Sequence, residues 1–141
     1  MGPNDVELIR VYTREPGGAV GDVTAQKANN FEIVVDAEVG TAKMAGGGIF
    51  RVGVVVRNLT QSTTIFTDNT GPQNFGNPSW PPPPPATNLA KAFTFTFPAA
   101  NVNVQNDGDI CEVLAWLEEG GVGPSPSDVS FARSPLFIIT Q

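Results

Sequence analysis

The sequence predicts an all-β domain, a two-sheet antiparallel sandwich of about seven strands. Three observations predict it. Apolar and polar residues alternate in the separated runs Phe31 to Val39, Phe50 to Val56 and Phe93 to Phe97, the period of a strand with one buried face. Segments rich in Gly, Pro and Asn divide these runs at short intervals. Hydrophobic residues make up 40% of the chain and charged ones only 16%, so Thr, Asn, Ser, Gly and Pro must cover much of the surface, as in loop-rich β proteins. At 141 residues the chain matches a single domain, 1–141, with a core of its own.

Asp5 to Arg14 is rich in β-formers, but its apolar row shifts from Val6 and Leu8 to Ile9 and Val11, which calls for a bulge or a change of sheet. Glu15-Pro16-Gly17-Gly18 stops it, and the polar connection that follows leaves room for one short edge strand near Val20 to Thr24. Phe31 to Thr41 places Phe31, Ile33, Val35, Ala37 and Val39 on one face and Glu32, Asp36 and Glu38 on the other. Ala42 to Gly48, ending in three glycines, reads as a loop. Ile49 to Leu59 is the central strand, with Phe50, Val52, Val54 and Val56 inward and Arg51, Gly53 and Arg57 outward.

Two arrangements fit these last two strands. As a hairpin, Glu38 falls opposite Arg51 and Glu32 opposite Arg57, which satisfies both faces at once. As a Greek key, the strands lie in opposite sheets and the glycine segment crosses between them.

Thr63 to Thr67 is a short strand. It leads into a long Pro-rich surface loop at about 68–91, where Pro81 to Pro85 favour an extended polyproline rod. Phe93 to Phe97 is a core strand ended by Pro98. Ile110 to Glu119 fits a helix capped by Asp109 and Gly120 and fits a strand equally; its all-β surroundings decide for strand. Val129 to Thr140 is a terminal strand whose Pro135 implies an edge position or a bulge. The seven strands are thus about 5–14, 31–41, 49–59, 63–67, 93–97, 110–118 and 130–140.

This count resembles the immunoglobulin-like Greek key, and Asp107-Gly108-Asp109-Ile110-Cys111 resembles the corner leading into that fold's sixth strand. No Tyr stands at position 109, no second Cys exists and no Trp lies in the third strand, so the resemblance implies architecture and no activity.

The net charge of −6, with Lys and Arg scattered, argues against nucleic acid and anionic membranes as partners. No run is long enough to span a bilayer, and the N-terminus lacks the apolar centre of a signal peptide. There is no His and a single Cys, Cys111, which removes the commonest general base and metal ligand and leaves no internal disulfide. No enzyme activity, cofactor or metal is therefore expected, and the compartment is not legible.

The candidate binding residues are Trp80, Pro81, Pro82, Pro83, Pro84, Pro85 and Tyr12. An aromatic followed by a proline run resembles the ligands of proline-recognition domains; otherwise it is a stiff connector with Trp80 folded onto apolar surface. Trp80, Trp116 and Tyr12 could instead form an aromatic platform for sugar rings, although Trp116 has the apolar neighbours of a packed residue. Asn106-Asp107-Gly108-Asp109 offers oxygen ligands but reads first as a turn. Asn58-Leu59-Thr60 is a glycosylation sequon, and Cys111 reads as a buried thiol. Adjacent Glu118 and Glu119 point to opposite faces of a strand and cannot share a substrate. The expectation is a non-catalytic interaction or structural module that binds protein, with a glycan as the second ligand class; a homo-oligomer stays open.

Overall fold

The computed structural model describes residues 6–76, 78–81, 89–120 and 128–141. They form an all-β sandwich of two sheets. The first sheet has three strands, in the order β1 (Val6–Arg14), β3 (Phe31–Val39), β7 (Ala90–Phe97), all antiparallel. The second runs β2 (Thr24–Gln26), β10 (Phe137–Thr140), β8 (Ile110–Gly120), β4 (Ile49–Asn58), β5 (Thr63–Asn69). The short β6 (Gln73–Asn74) continues β5 along β4, and β9 (Asp128–Arg133) continues β10 along β8.

Alternation places the core. Phe31, Ile33, Val35, Ala37 and Val39 of β3 and Phe93, Phe95 and Phe97 of β7 are buried against Phe50, Val52, Val54 and Val56 of β4 and Cys111, Val113, Ala115 and Leu117 of β8. The segment from Ile110 is thus a strand, buried at every second residue, and not a helix. The shift in β1 is a bulge between Leu8 and Arg10, which turns Ile9 outward and returns Val11 to the core.

The hairpin between β3 and β4 is not formed, because the two strands belong to opposite sheets. Their charges find other partners: Arg14 Nε lies 2.6 Å from Glu32 on the β1 side, and Arg51 Nη1 lies 3.5 Å from Glu118 on the β8 side. Charge complementarity along a strand does not say which neighbour supplies the opposite charge, and here both strands were satisfied within their own sheets.

The glycine-ended connection between β3 and β4 holds a short helix, α1 (Thr41–Gly46), rather than a loop. Met44 is buried, and Lys43 Nζ lies 3.0 Å from buried Glu119, tying the crossing to the end of β8. A second short helix, α2 (Ala99–Asn103), follows β7 and buries Val102. The edge strand expected near Val20 to Thr24 lies slightly later, as β2, parallel to β10. Pro135 falls in the gap between β9 and β10, where Ser134 takes over the ladder: its N–H donates to Val113 O at 2.9 Å and its Oγ accepts from Val113 N–H at 3.0 Å.

Candidate functional site

Trp80 is not an aromatic platform: its ring is 1% exposed and closes the core at one end of the sandwich. Phe50 and Phe93 meet it edge-on at 5.2 and 5.5 Å, Phe75 lies 5.4 Å away, and its indole Nε1 donates to Leu89 O at 3.2 Å. The reason is local. Gly76 and Trp80 form a two-way backbone bridge, Gly76 at φ 96°, which folds the chain back and drops the indole between the sheets. Pro81 is exposed; Pro82, Pro83, Pro84 and Pro85 lie outside the described residues.

Tyr12 is half-buried on the outer face of the three-stranded sheet, opposite Val34, with the Arg10 guanidinium 4.6 Å from its ring centroid. Trp80 and Tyr12 therefore share no surface, and the platform assigned to them is not assembled.

Asn58 of the sequon is fully buried. Its Nδ2 donates to Asp109 Oδ2 at 2.8 Å and Gln105 Oε1 at 2.9 Å, while its Oδ1 accepts from Gln61 N–H at 3.0 Å. Asp109 also accepts from Asn106 N–H at 3.1 Å, so its oxygens hold a turn together. The Asn58 amide, then Asn106 and Gln61, keep the Asp109 carboxyl below its ordinary value, against the effect of burial. Cys111 is buried on the inner face, and desolvation, with Asp109 nearby, pushes its thiol up to about 12.

Exposed aromatic and apolar side chains gather elsewhere, on the outer surface of β4, β8 and β9. Register lines up Gly53, Trp116 and Phe131 across the three strands, then Val55, Leu114 and Arg133 beside them. All of these but Gly53 line one shallow apolar groove. Trp116 is half-buried because its indole lies over Gly53: a Cβ at position 53 would stand 2.1 Å from Cζ2 and 2.3 Å from Cε2. Glycine is required there by close approach, with the aromatic covering the backbone that the missing side chain leaves bare. Phe131 is 74% exposed, and Val129 continues the apolar strip along β9.

Charge surrounds this centre. Arg51 and Glu118 pair at one end; at the other, Arg57 Nη1 donates to Thr64 Oγ1 at 2.8 Å and Arg133 Nε stands 3.9 Å from Glu112. In the sequence Trp116 has the neighbours of a packed residue, and no motif marks Phe131. One signal was present: in Val129-Ser130-Phe131-Ala132-Arg133 the larger apolar residues alternate with small Ser130 and Ala132, and the small row faces in.

Fold and face together define a two-sheet β-sandwich with an apolar-centred, charge-rimmed outer surface. Among solved structures it is similar to the C-terminal domain of wzt, with a TM-score of 0.60 over 100% of this chain and 77% of that one. Identity is 11%, so the likeness speaks for the fold alone. No protein-family model and no curated protein sequence matches the chain.

Proposed function

We propose that this domain is a non-catalytic interaction module that binds another protein through the outer face of β4, β8 and β9. The observation that carries the reading is Phe131, three-quarters exposed beside a Trp116 held flat on the sheet by Gly53. A soluble domain gains nothing in stability from a bare phenylalanine, whereas an aromatic centre ringed by Arg and Glu has the composition of an interaction hot spot. The strand order, with β3 and β4 in opposite sheets, also supports the immunoglobulin-like Greek key as the finer description of the sandwich.

The test is a photo-reactive residue placed at position 131 and, as control, at Val104, which is 76% exposed away from this face. In extract from the native source, adducts form at 131 and disappear when Trp116 is also changed to Ala; equal adducts at 104, or none at 131, would reject the face. A glycan is the second reading, favoured by the flat indole over Gly53, since sugar rings stack on such surfaces. A glycan panel that shifts the emission of Trp116 but not of a Trp116→Phe variant would select it.

A further inference from the structure

We infer that β7 is a self-pairing edge: the free side of Ala90–Phe97 takes β7 of a second copy of this chain, antiparallel across a two-fold axis at Phe93, and joins two three-stranded sheets into one. The contact is separate from the binding face above. Its basis is the set of backbone groups that β3 leaves unused. Val39 N–H donates to Leu89 O at 3.2 Å, and in an antiparallel ladder the bonded pairs recur at every second residue. Lys91, Phe93, Phe95 and Phe97, opposite Ala37, Val35, Ile33 and Phe31, are therefore the residues bonded to β3. Ala90, Ala92, Thr94 and Thr96 turn their N–H and C=O groups to the other side, where, among the described residues, no strand pairs with β7. These four residues are exposed, with small uncharged side chains, and no proline or bulge interrupts the strand.

Two other edges are blunted by contrast. On β1, Asp22 N–H donates to Thr13 O at 2.7 Å, Thr13 Oγ1 donates to Asp22 O at 2.6 Å, and Leu8 N–H donates to Ser130 Oγ at 3.0 Å. β5 shifts register against β4 between Val56 and Arg57, carries Asp68, and has Ile65 O accepting from Asn101 Nδ2 at 3.0 Å. A second copy fits the β7 edge because an antiparallel edge matches itself under a two-fold axis. Ala90 meets Thr96 and Ala92 meets Thr94 of the second copy, each pair exchanging both backbone bonds. Phe93 then stands opposite Phe93 of the second copy in the non-bonded position, where side chains lie closest, and the inner rows of both copies stay on one face. Charge agrees with this register. A chain of net charge −6 repels its copies in general, yet β7 carries Lys91 and no carboxylate, and Lys91 falls opposite Phe95 of the second copy rather than its own counterpart. Glu32, Asp36 and Glu38 of β3 stand at least three strand spacings, about 14 Å, from those of the second copy, beyond a Debye length of about 8 Å.

Sedimentation equilibrium and amide hydrogen exchange on the full chain test this. The wild-type mass rises with concentration to that of a dimer and stops there, because a two-fold contact uses both edges. Over the same range the amides of Ala92, Thr94 and Thr96 become protected, while those of Phe93 and Phe95, already bonded to β3, exchange slowly at every concentration. Thr94→Pro removes an N–H that β3 does not use and leaves the chain monomeric. The double variant Ala92→Lys with Thr94→Lys, at exposed positions, sets lysines directly opposite one another across the seam; it also stays monomeric, and it keeps the wild-type urea midpoint even where Thr94→Pro lowers it. Phe131→Glu, on the other sheet, still forms the dimer. A wild type that stays monomeric, a double-lysine variant that still pairs, or a dimer whose Ala92 and Thr94 amides gain no protection overturns the edge contact. Loss of the dimer in Phe131→Glu also overturns it, by moving the contact to the face of β4, β8 and β9. Cross-linking at position 131 reads that face independently, so either surface can fail while the other stands.

Discussion

Gly53→Ala probes the link between fold and face most sharply. The added methyl would meet the Trp116 ring at 2.1 Å, too deep an overlap for a small shift, so the indole must swing to another rotamer. A fully buried Trp covers about 150–250 Å²; for this half-covered ring about 100 Å² is lost, or roughly 2.5 kcal/mol at ~25 cal/mol per Å². Replacing Gly in a strand returns about 0.5–1 kcal/mol, leaving a net loss of roughly 1.5–2 kcal/mol. Urea unfolding reads this as a midpoint lowered by about 0.5–2 M, accompanied by red-shifted emission from the freed indole. The sign reverses in a Trp116→Ala background, where the methyl meets no ring and Gly53→Ala becomes neutral or stabilising. A midpoint that is unchanged in the wild-type background, or an equal loss in both, would refute the packing argument.

Trp80→Ala removes the ring that closes the core, so its unfolding free energy should fall by about 3–5 kcal/mol, measured by urea titration. Asp109 is held below its ordinary value of 3.8, so the stability it contributes is present above that pH and lost as pH falls through the lowered value; the urea-midpoint gap between wild type and Asp109→Asn should close in that window. Cys111, with its thiol pushed up to about 12, should ignore an aromatic disulfide reagent at neutral pH until urea unfolds the chain, so thiol release should follow the unfolding transition.

The strands were legible because alternation reports burial directly: the inner rows of β3, β4 and β7 fell where Phe31, Phe50 and Phe93 and their alternate neighbours placed them. Ile9 betrayed its bulge because an apolar residue out of step has nowhere else to go. Pairing was less legible, since Glu32 can face Arg57 in a hairpin as well as Arg14 of β1, and only the whole topology decides between them. The helix α1 was hidden by its terminal glycines, although Thr41 to Ala45 contains good helix formers and Met44 has a core to enter. Trp116 departs from the packed role its neighbours suggested, while Trp80 takes the apolar packing that was one of its two readings. A loop tryptophan next to prolines was carried inward by the Gly76 turn, and one inside an apolar strand faced outward because its row begins at Ile110 and not at Cys111. The signal lay in the row itself, since Glu112 and Glu118 share it with Trp116 and two carboxylates mark the wet side of a strand.

Iodide quenching of two single-tryptophan variants bears most directly on the claim that Trp116 on the outer face of β4, β8 and β9, and not the buried Trp80, stands at the contact surface. Trp80→Phe, which keeps Trp116, should be quenched in the free protein and protected when the face is occupied. Trp116→Phe, which keeps Trp80, should emit at shorter wavelength and resist iodide throughout. An accessible Trp80 together with a shielded Trp116 would contradict the account.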